Sequence, residues 1–368
     1  MRYVDEYKNK ALIKNLSRKI REITPKDKRI VLMEVCGTHT QSFFRYGIGS
    51  LIPENIDILS GPGCPVCVSS QNYIDKAIAY SKLKDVIIAT FGDMMRVPGT
   101  NSSLEKEKAK GAMVKIVYSS LDALKIAKEN PKKEIIFLAV GFETTSPTTA
   151  LAILEAKREK IGNFFVFCSH KLIPPAMKEI SKDKRMNIQG FICPGHVSAI
   201  IGARPYKKIA REFKIPCVVA GFEPVDLMET LLLLLGQIKN KESKVLIQYS
   251  RVVKEEGNLA AQRNLLRVFE ICDAQWRGIG TIKKSGLRLR NKFSNFDIEK
   301  KIPLKIKSPL KPSPNLCLCG EVLKGKIRPQ DCPSFATKCN PANPLGPCMV
   351  SDEGACGIYY KLGSRRAF

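Results

Sequence analysis

Six cysteines, Cys317, Cys319, Cys332, Cys339, Cys348 and Cys356, crowd the last part of the chain. Pro329, Pro333, Pro341, Pro344, Gly346, Pro347, Gly354 and Gly357 are interspersed among them. Loops of that composition build little core and rely on a metal centre for order. Zinc sites usually draw thiolates from paired short spacings such as Cys-x2-Cys repeated after a knuckle, and that pairing is missing here. The last four cysteines are separated by 6, 8 and 7 residues. Wide intervals and thiolate ligands without histidine suit a 4Fe-4S cluster. We take Cys332, Cys339, Cys348 and Cys356 as its expected ligands because they are evenly spread through the loop-rich part, with Cys319 in reserve. Spacing does not choose among the six, and zinc or unmetallated buried thiols stand as alternatives. If their segment is extended, Cys317 and Cys319 point to opposite faces.

A second set of thiols lies near the N-terminus. The run IVLMEV ends in Cys36-Gly37-Thr38-His39-Thr40, and IDILSGPGCPVCVSS supplies Cys64 and Cys67. Each thiol follows a strand-like run, where an exposed sulfur near backbone N–H groups would ionise below its ordinary value. Cys64-Pro65-Val66-Cys67 is expected to open a helix, the arrangement in which one thiol attacks and the other resolves a disulfide. Half of a zinc knuckle and a structural pair are the alternatives. Each of the three histidines, His39, His170 and His196, follows a cysteine by two or three residues. The pattern suggests that these loops converge, with His39 the functional one and a satisfied structural histidine the alternative for each.

These residues need a frame. Ile87–Thr100, Ile136–Thr149 and Pro216–Thr230 each begin as an apolar run and end in a Gly-containing loop. Such runs suit strands buried on both faces of a parallel sheet, and 120–130, 148–160 and 206–214 have helical periodicity. The expected fold is α/β, with two Rossmann-like parallel-sheet lobes and a C-terminal, loop-rich iron–sulfur module. Ligands of such sheets sit beyond the carboxyl ends of the strands, which puts Asp93, Glu143 and Glu223 on functional edges. A capping carboxylate is the plainer reading of each Gly-Phe-Glu. We divide the chain into an N-terminal helical segment (1–28), lobe I (29–118), lobe II (119–245), and a linker with the cysteine module (246–368), the linker being the Pro- and Lys-rich stretch from Ile302 to Pro314.

The 368 residues fit two or three domains, at roughly 100–200 residues each. The first twenty residues lack the apolar core of a signal peptide, and the longest apolar stretch is far too short to span a bilayer, so a cytoplasmic protein without membrane association is expected. Thirteen cysteines in a reducing compartment are not a disulfide framework. The net charge of +26 raises nucleic acid as a partner. The lysines are scattered, however, and the basic stretch 281–311 has few aromatics to stack on bases, so nucleic-acid binding is not the favoured reading.

With CGTHT at 36–40, GPGCPVC at 61–67, GFETTSP at 141–147, CPGHVSAIIG at 193–202, AGFEP at 220–224 and the six-cysteine tail ending GACGIYY, the chain closely resembles the HypD family of hydrogenase maturation proteins. The resemblance covers nearly the whole length, with no departure at a motif cysteine. It implies a role in building the Fe(CN)2CO unit of nickel–iron hydrogenases. It implies further that Cys36 ligates the iron together with a cysteine of a HypC-like partner, that Cys64 and Cys67 form a thiol/disulfide pair, and that the tail carries a 4Fe-4S cluster. A HypE-like protein would deliver cyanide to the HypC–HypD complex, and the hydrogenase large subunit would receive the finished unit. On this reading the protein is a scaffold with redox capacity more than a turnover enzyme. A cluster-dependent thiol–disulfide reductase is the rival.

Overall fold

The computed structural model describes residues 5–306 and 317–363. Nine parallel strands form its frame. They are β1 (Ile30–Glu34), β2 (Ile56–Ser60), β3 (Val86–Thr90), β4 (Val114–Ile116), β5 (Glu134–Gly141), β6 (Phe164–His170), β7 (Gly190–Pro194), β8 (Cys217–Ala220) and β9 (Val245–Ile247). One sheet has the order β2-β1-β7-β8-β9 and the other β4-β3-β5-β6. The helices Ser120–Glu129, Ser146–Arg158 and Tyr206–Phe213 occupy the stretches whose periodicity is helical.

The two-sided burial read from the apolar runs is borne out within single strands. Along β5, Ile136, Leu138 and Val140 enter a core shared with Phe191, Cys193 and Val219 of the other sheet, while Ile135, Phe137 and Ala139 face a separate core under the outer helices. Successive side chains of a strand alternate between faces, so one run feeds both layers. A third core lies between the five-stranded sheet and helices α1 (Lys10–Ile23) and Pro224–Lys239.

The sheets do not divide at 118/119. That boundary falls between β4 and β5, inside the four-stranded sheet, whereas the five-stranded sheet takes β1 and β2 from before it and β7 to β9 from after it. The chain leaves the first sheet at β2, builds the second, and returns with β7 beside β1, where Leu32 pairs with Gly190. Each strand is apolar enough for either sheet, so composition does not reveal which neighbour it takes.

Within the block 246–368, ordered structure precedes the linker stretch. Helix Leu259–Val268 leads into an antiparallel hairpin of β10 (Phe269–Trp276) and β11 (Gly280–Leu289). Of the linker stretch proper, residues 307–314 lie outside the described residues. The cysteine-rich part, from Cys317 on, is mostly turns, with short helices Cys319–Leu323 and Ala355–Leu362. The latter docks on helix α2 (Gly37–Arg45) through an edge contact of Tyr359 with Phe44, ring centroids 4.5 Å apart. Among the described residues no helix is long and apolar enough to cross a membrane.

Candidate functional site

Strand β1 ends at Glu34, and two residues on Cys36 occupies the position that caps α2. Its backbone N–H donates to Glu34 Oε2 at 2.7 Å, and the Thr40 hydroxyl donates to the other Glu34 oxygen. Glu353, from the C-terminal part, accepts a hydrogen bond from the Thr38 hydroxyl at 3.2 Å and completes the surroundings. The strand-end thiol is therefore not exposed, as the sequence suggests, but covered. Burial, then the carboxylates of Glu353 and Glu34, push the Cys36 thiol up to about 12, the opposite of the expected direction. Burial likewise pushes Glu34 up to about 7. A thiol between two carboxylates disfavours another negative charge and favours a cation.

The Gly61-Pro62-Gly63 turn brings the second thiol site to the first. Gly37 donates its N–H to the Gly63 carbonyl at 3.3 Å, and a Cβ on Gly63 would sit 2.3 Å from the Cys36 nitrogen, so only glycine permits this approach. Cys64 and Cys67 are both buried and are joined by a disulfide. They do not open a helix. The Val68 N–H bonds to the Cys64 carbonyl for a single turn, and α3 (Gln71–Ser81) begins only after Ser70, whose hydroxyl caps it. A small cavity lined by Thr40, Cys64, Leu323 and Glu353 joins both thiol loops to the C-terminal part.

Two of the three histidines converge and one does not. His39 is fully buried, its Nε2 lies 3.1 Å from the Gly221 carbonyl, and it stacks on Phe222 with centroids 4.7 Å apart. His196 stacks on the same ring at 4.0 Å. His170 belongs to the other sheet and meets Thr149 instead. Burial pulls His39 down to about 4, so it is neutral and tethers α2 to the end of β8. Among the strand-end carboxylates, Glu223 caps helix Pro224–Lys239, Glu143 accepts the Ile173 N–H at 3.0 Å, and Asp93 accepts the Ser351 hydroxyl at 2.5 Å. Only Asp93 of these three reaches the cysteine-rich part in this way.

In that part Cys319, Cys339, Cys348 and Cys356 are buried, Cys332 is half-buried and Cys317 exposed. Cys317 and Cys319 are not on opposite faces, because a helix starts at Cys319 and their thiols share a hydrogen bond. Cys319 also bonds Cys348, and Cys348 bonds Cys356. Hydrogen bonds from Cys317 and Cys348 hold Cys319 well below the ordinary thiol range, and the Arg277 guanidinium adds to this. The residues fit a cluster in donor chemistry: soft thiols, converging, largely buried and without a competing histidine. Among the described residues no three His, Cys, Asp or Glu side chains are arranged to hold a metal ion.

Sequence reasoning missed Glu34, Glu353 and Arg277. A carboxylate inside the apolar run IVLMEV is a signal for the first, since buried charges are rare without a task. The other two carry none.

The HypD family profile, described as the hydrogenase formation hypA family, matches residues 11–363. The chain is 42% identical to the hydrogenase maturation factor HypD2 of Bradyrhizobium diazoefficiens, covering 100% of this chain and 98% of that protein. It is 43% identical to HypD of Cupriavidus necator, with 99% and 97% covered, and 42% identical to HypD of Escherichia coli, with 98% of each covered.

Proposed function

The chain belongs to the HypD family of hydrogenase maturation factors, and on that premise we propose that it is the scaffold on which the Fe(CN)2CO unit of nickel–iron hydrogenases is assembled. The observation that carries this reading is the setting of Cys36, a buried thiol between Glu34 and Glu353 with the Cys64–Cys67 pair on the adjoining strand end. The family resemblance supplies the second protein ligand, a cysteine of a HypC-like partner that reaches the same ion. Iron is the cargo. As it arrives, Cys36 gives up its proton, and the nearby carboxylates favour the positive charge that replaces it.

Reduction of the Cys64–Cys67 disulfide takes up two electrons and two protons and yields two thiols, which equips this loop to exchange electrons next to the iron. The C-terminal cysteines, with Cys332, Cys339, Cys348 and Cys356 the expected four and Cys319 the competitor, would hold a 4Fe-4S cluster. Bound there, such a cluster would supply single electrons. Cyanide would come from a HypE-like donor, and the finished unit would leave for the hydrogenase large subunit. The compartment is the cytoplasm.

The disulfide supports one other reading, a thiol–disulfide reductase in which Cys36 is a bystander. Shielding separates the two. A HypC-like protein added to the reduced chain should slow alkylation of Cys36 at least tenfold, read by mass spectrometry. Equal labelling with and without the partner would remove the shared-ligand reading.

A further inference from the structure

The tip of the β10–β11 hairpin reaches the place where the dithiol turn meets the cysteine-rich segment. Arg277 donates its backbone N–H to the Val68 carbonyl at 2.9 Å and its side-chain Nε–H to the Ser69 carbonyl at 2.8 Å. Val68 and Ser69 are the two residues that follow Cys67. On the other side, Gly278 lies backbone to backbone against Gly320, so closely that a Cβ at this position, where φ is +74°, would come within 2.2 Å of the Gly320 Cα. Gly320 follows Cys319. One arginine thus sits between the disulfide and the thiol cluster.

Its Nη2 is buried and has no hydrogen-bond partner. A guanidinium has five N–H donors and no acceptor, and a buried charged donor left unpaired is costly. What would satisfy it is negative charge on sulfur, and the next residue, Gly278, packs on Gly320 directly beside Cys319.

We propose that Arg277 is a positioning residue that pins the Cys64–Cys67 turn through Ser69 while its free Nη2 stabilises negative charge on the C-terminal sulfur cluster, raising the reduction potential of the iron–sulfur group bound there. The inference rests on the 4Fe-4S reading. Reduction adds an electron to the cluster, and a nearby fixed cation in a water-poor setting favours the more negative state. Arginine does this without losing its own charge.

The test is a redox titration, followed by electron paramagnetic resonance, of the full chain reconstituted anaerobically with iron and sulfide. Arg277→Met and Arg277→Gln should lower the midpoint potential so that the reduced-to-oxidised ratio at a fixed potential falls at least tenfold, about 59 mV for a one-electron couple. Arg277→Lys, which keeps the charge, should stay near the unaltered value. Unchanged potentials in the Met or Gln variants would overturn the proposal. So would loss of the cluster from all three, Lys included, because the residue would then be a structural prop. An unaltered chain that takes up no cluster would contradict the underlying cofactor reading instead, and that outcome is read before any variant is compared.

Discussion

Gly37 and Glu353, from opposite ends of the chain, touch backbone to backbone: a Cβ on Gly37 would lie 2.2 Å from the Glu353 carbonyl oxygen. The contact closes the C-terminal part over Cys36. Gly37→Ala should therefore push the two apart and cost about 1–3 kcal/mol, the usual range for overpacking. Gly162→Ala, where nothing lies within 4 Å, is the control and should be near neutral. Urea unfolding of both variants gives the comparison, and equal midpoints would mean that the closure over Cys36 is looser than described.

Glu143 gives a pH dependence with a definite sign. Burial pushes it from 4.5 up to about 8, while in the unfolded chain it ionises at its ordinary value. Between those values the folded protein holds a proton that the unfolded chain releases, so this group's contribution to stability falls as pH rises, by up to about 1.4 kcal/mol per pH unit. Glu143→Gln removes the ionisation. Relative to the variant, the unaltered protein should lose stability from about pH 4.5 to about pH 8, and parallel curves over that window would show that Glu143 is ionised in the fold.

The cysteine-rich part allows a test of the ligand set. Alanine at Cys332, Cys339, Cys348 or Cys356 should each deplete iron and sulfide in anaerobically reconstituted protein and loosen this part of the chain, because a cluster bound there would couple its binding to folding. Cys317→Ala should be milder. The bonding of Cys319 to Cys348 makes Cys319→Ala the decisive comparison. Full iron in Cys332→Ala together with loss in Cys319→Ala would exchange those two in the assignment.

Much of this arrangement is legible in the sequence, for reasons that differ from residue to residue. The run through β5 announces a strand buried on both faces because both of its faces are apolar. Strand partners are not legible, since the pairing of β1 with β7 depends on a long excursion that no local pattern records. The late start of α3 was available: Ser70 is the type of residue that caps a helix, and it outweighs the pull of Pro65 toward an earlier start. Between Glu270 and Gln275 half-buried and exposed residues alternate along β10, but residue type does not mark the two faces, since the apolar Ile271 lies on the exposed one. The state of Cys36 could not be read locally. Its thiol is governed first by burial and then by Glu353, and only the fold brings about the one and supplies the other.

Infrared spectroscopy of the chain co-produced anaerobically with its HypC-like and HypE-like partners tests the central claim most directly. Iron held by the Cys36 thiolate predicts bands in the cyanide and carbonyl stretching regions that co-purify with the chain and vanish in Cys36→Ala, while the C-terminal iron and sulfide content stays unchanged. Bands of full intensity in Cys36→Ala, or none in the unaltered complex, would contradict it.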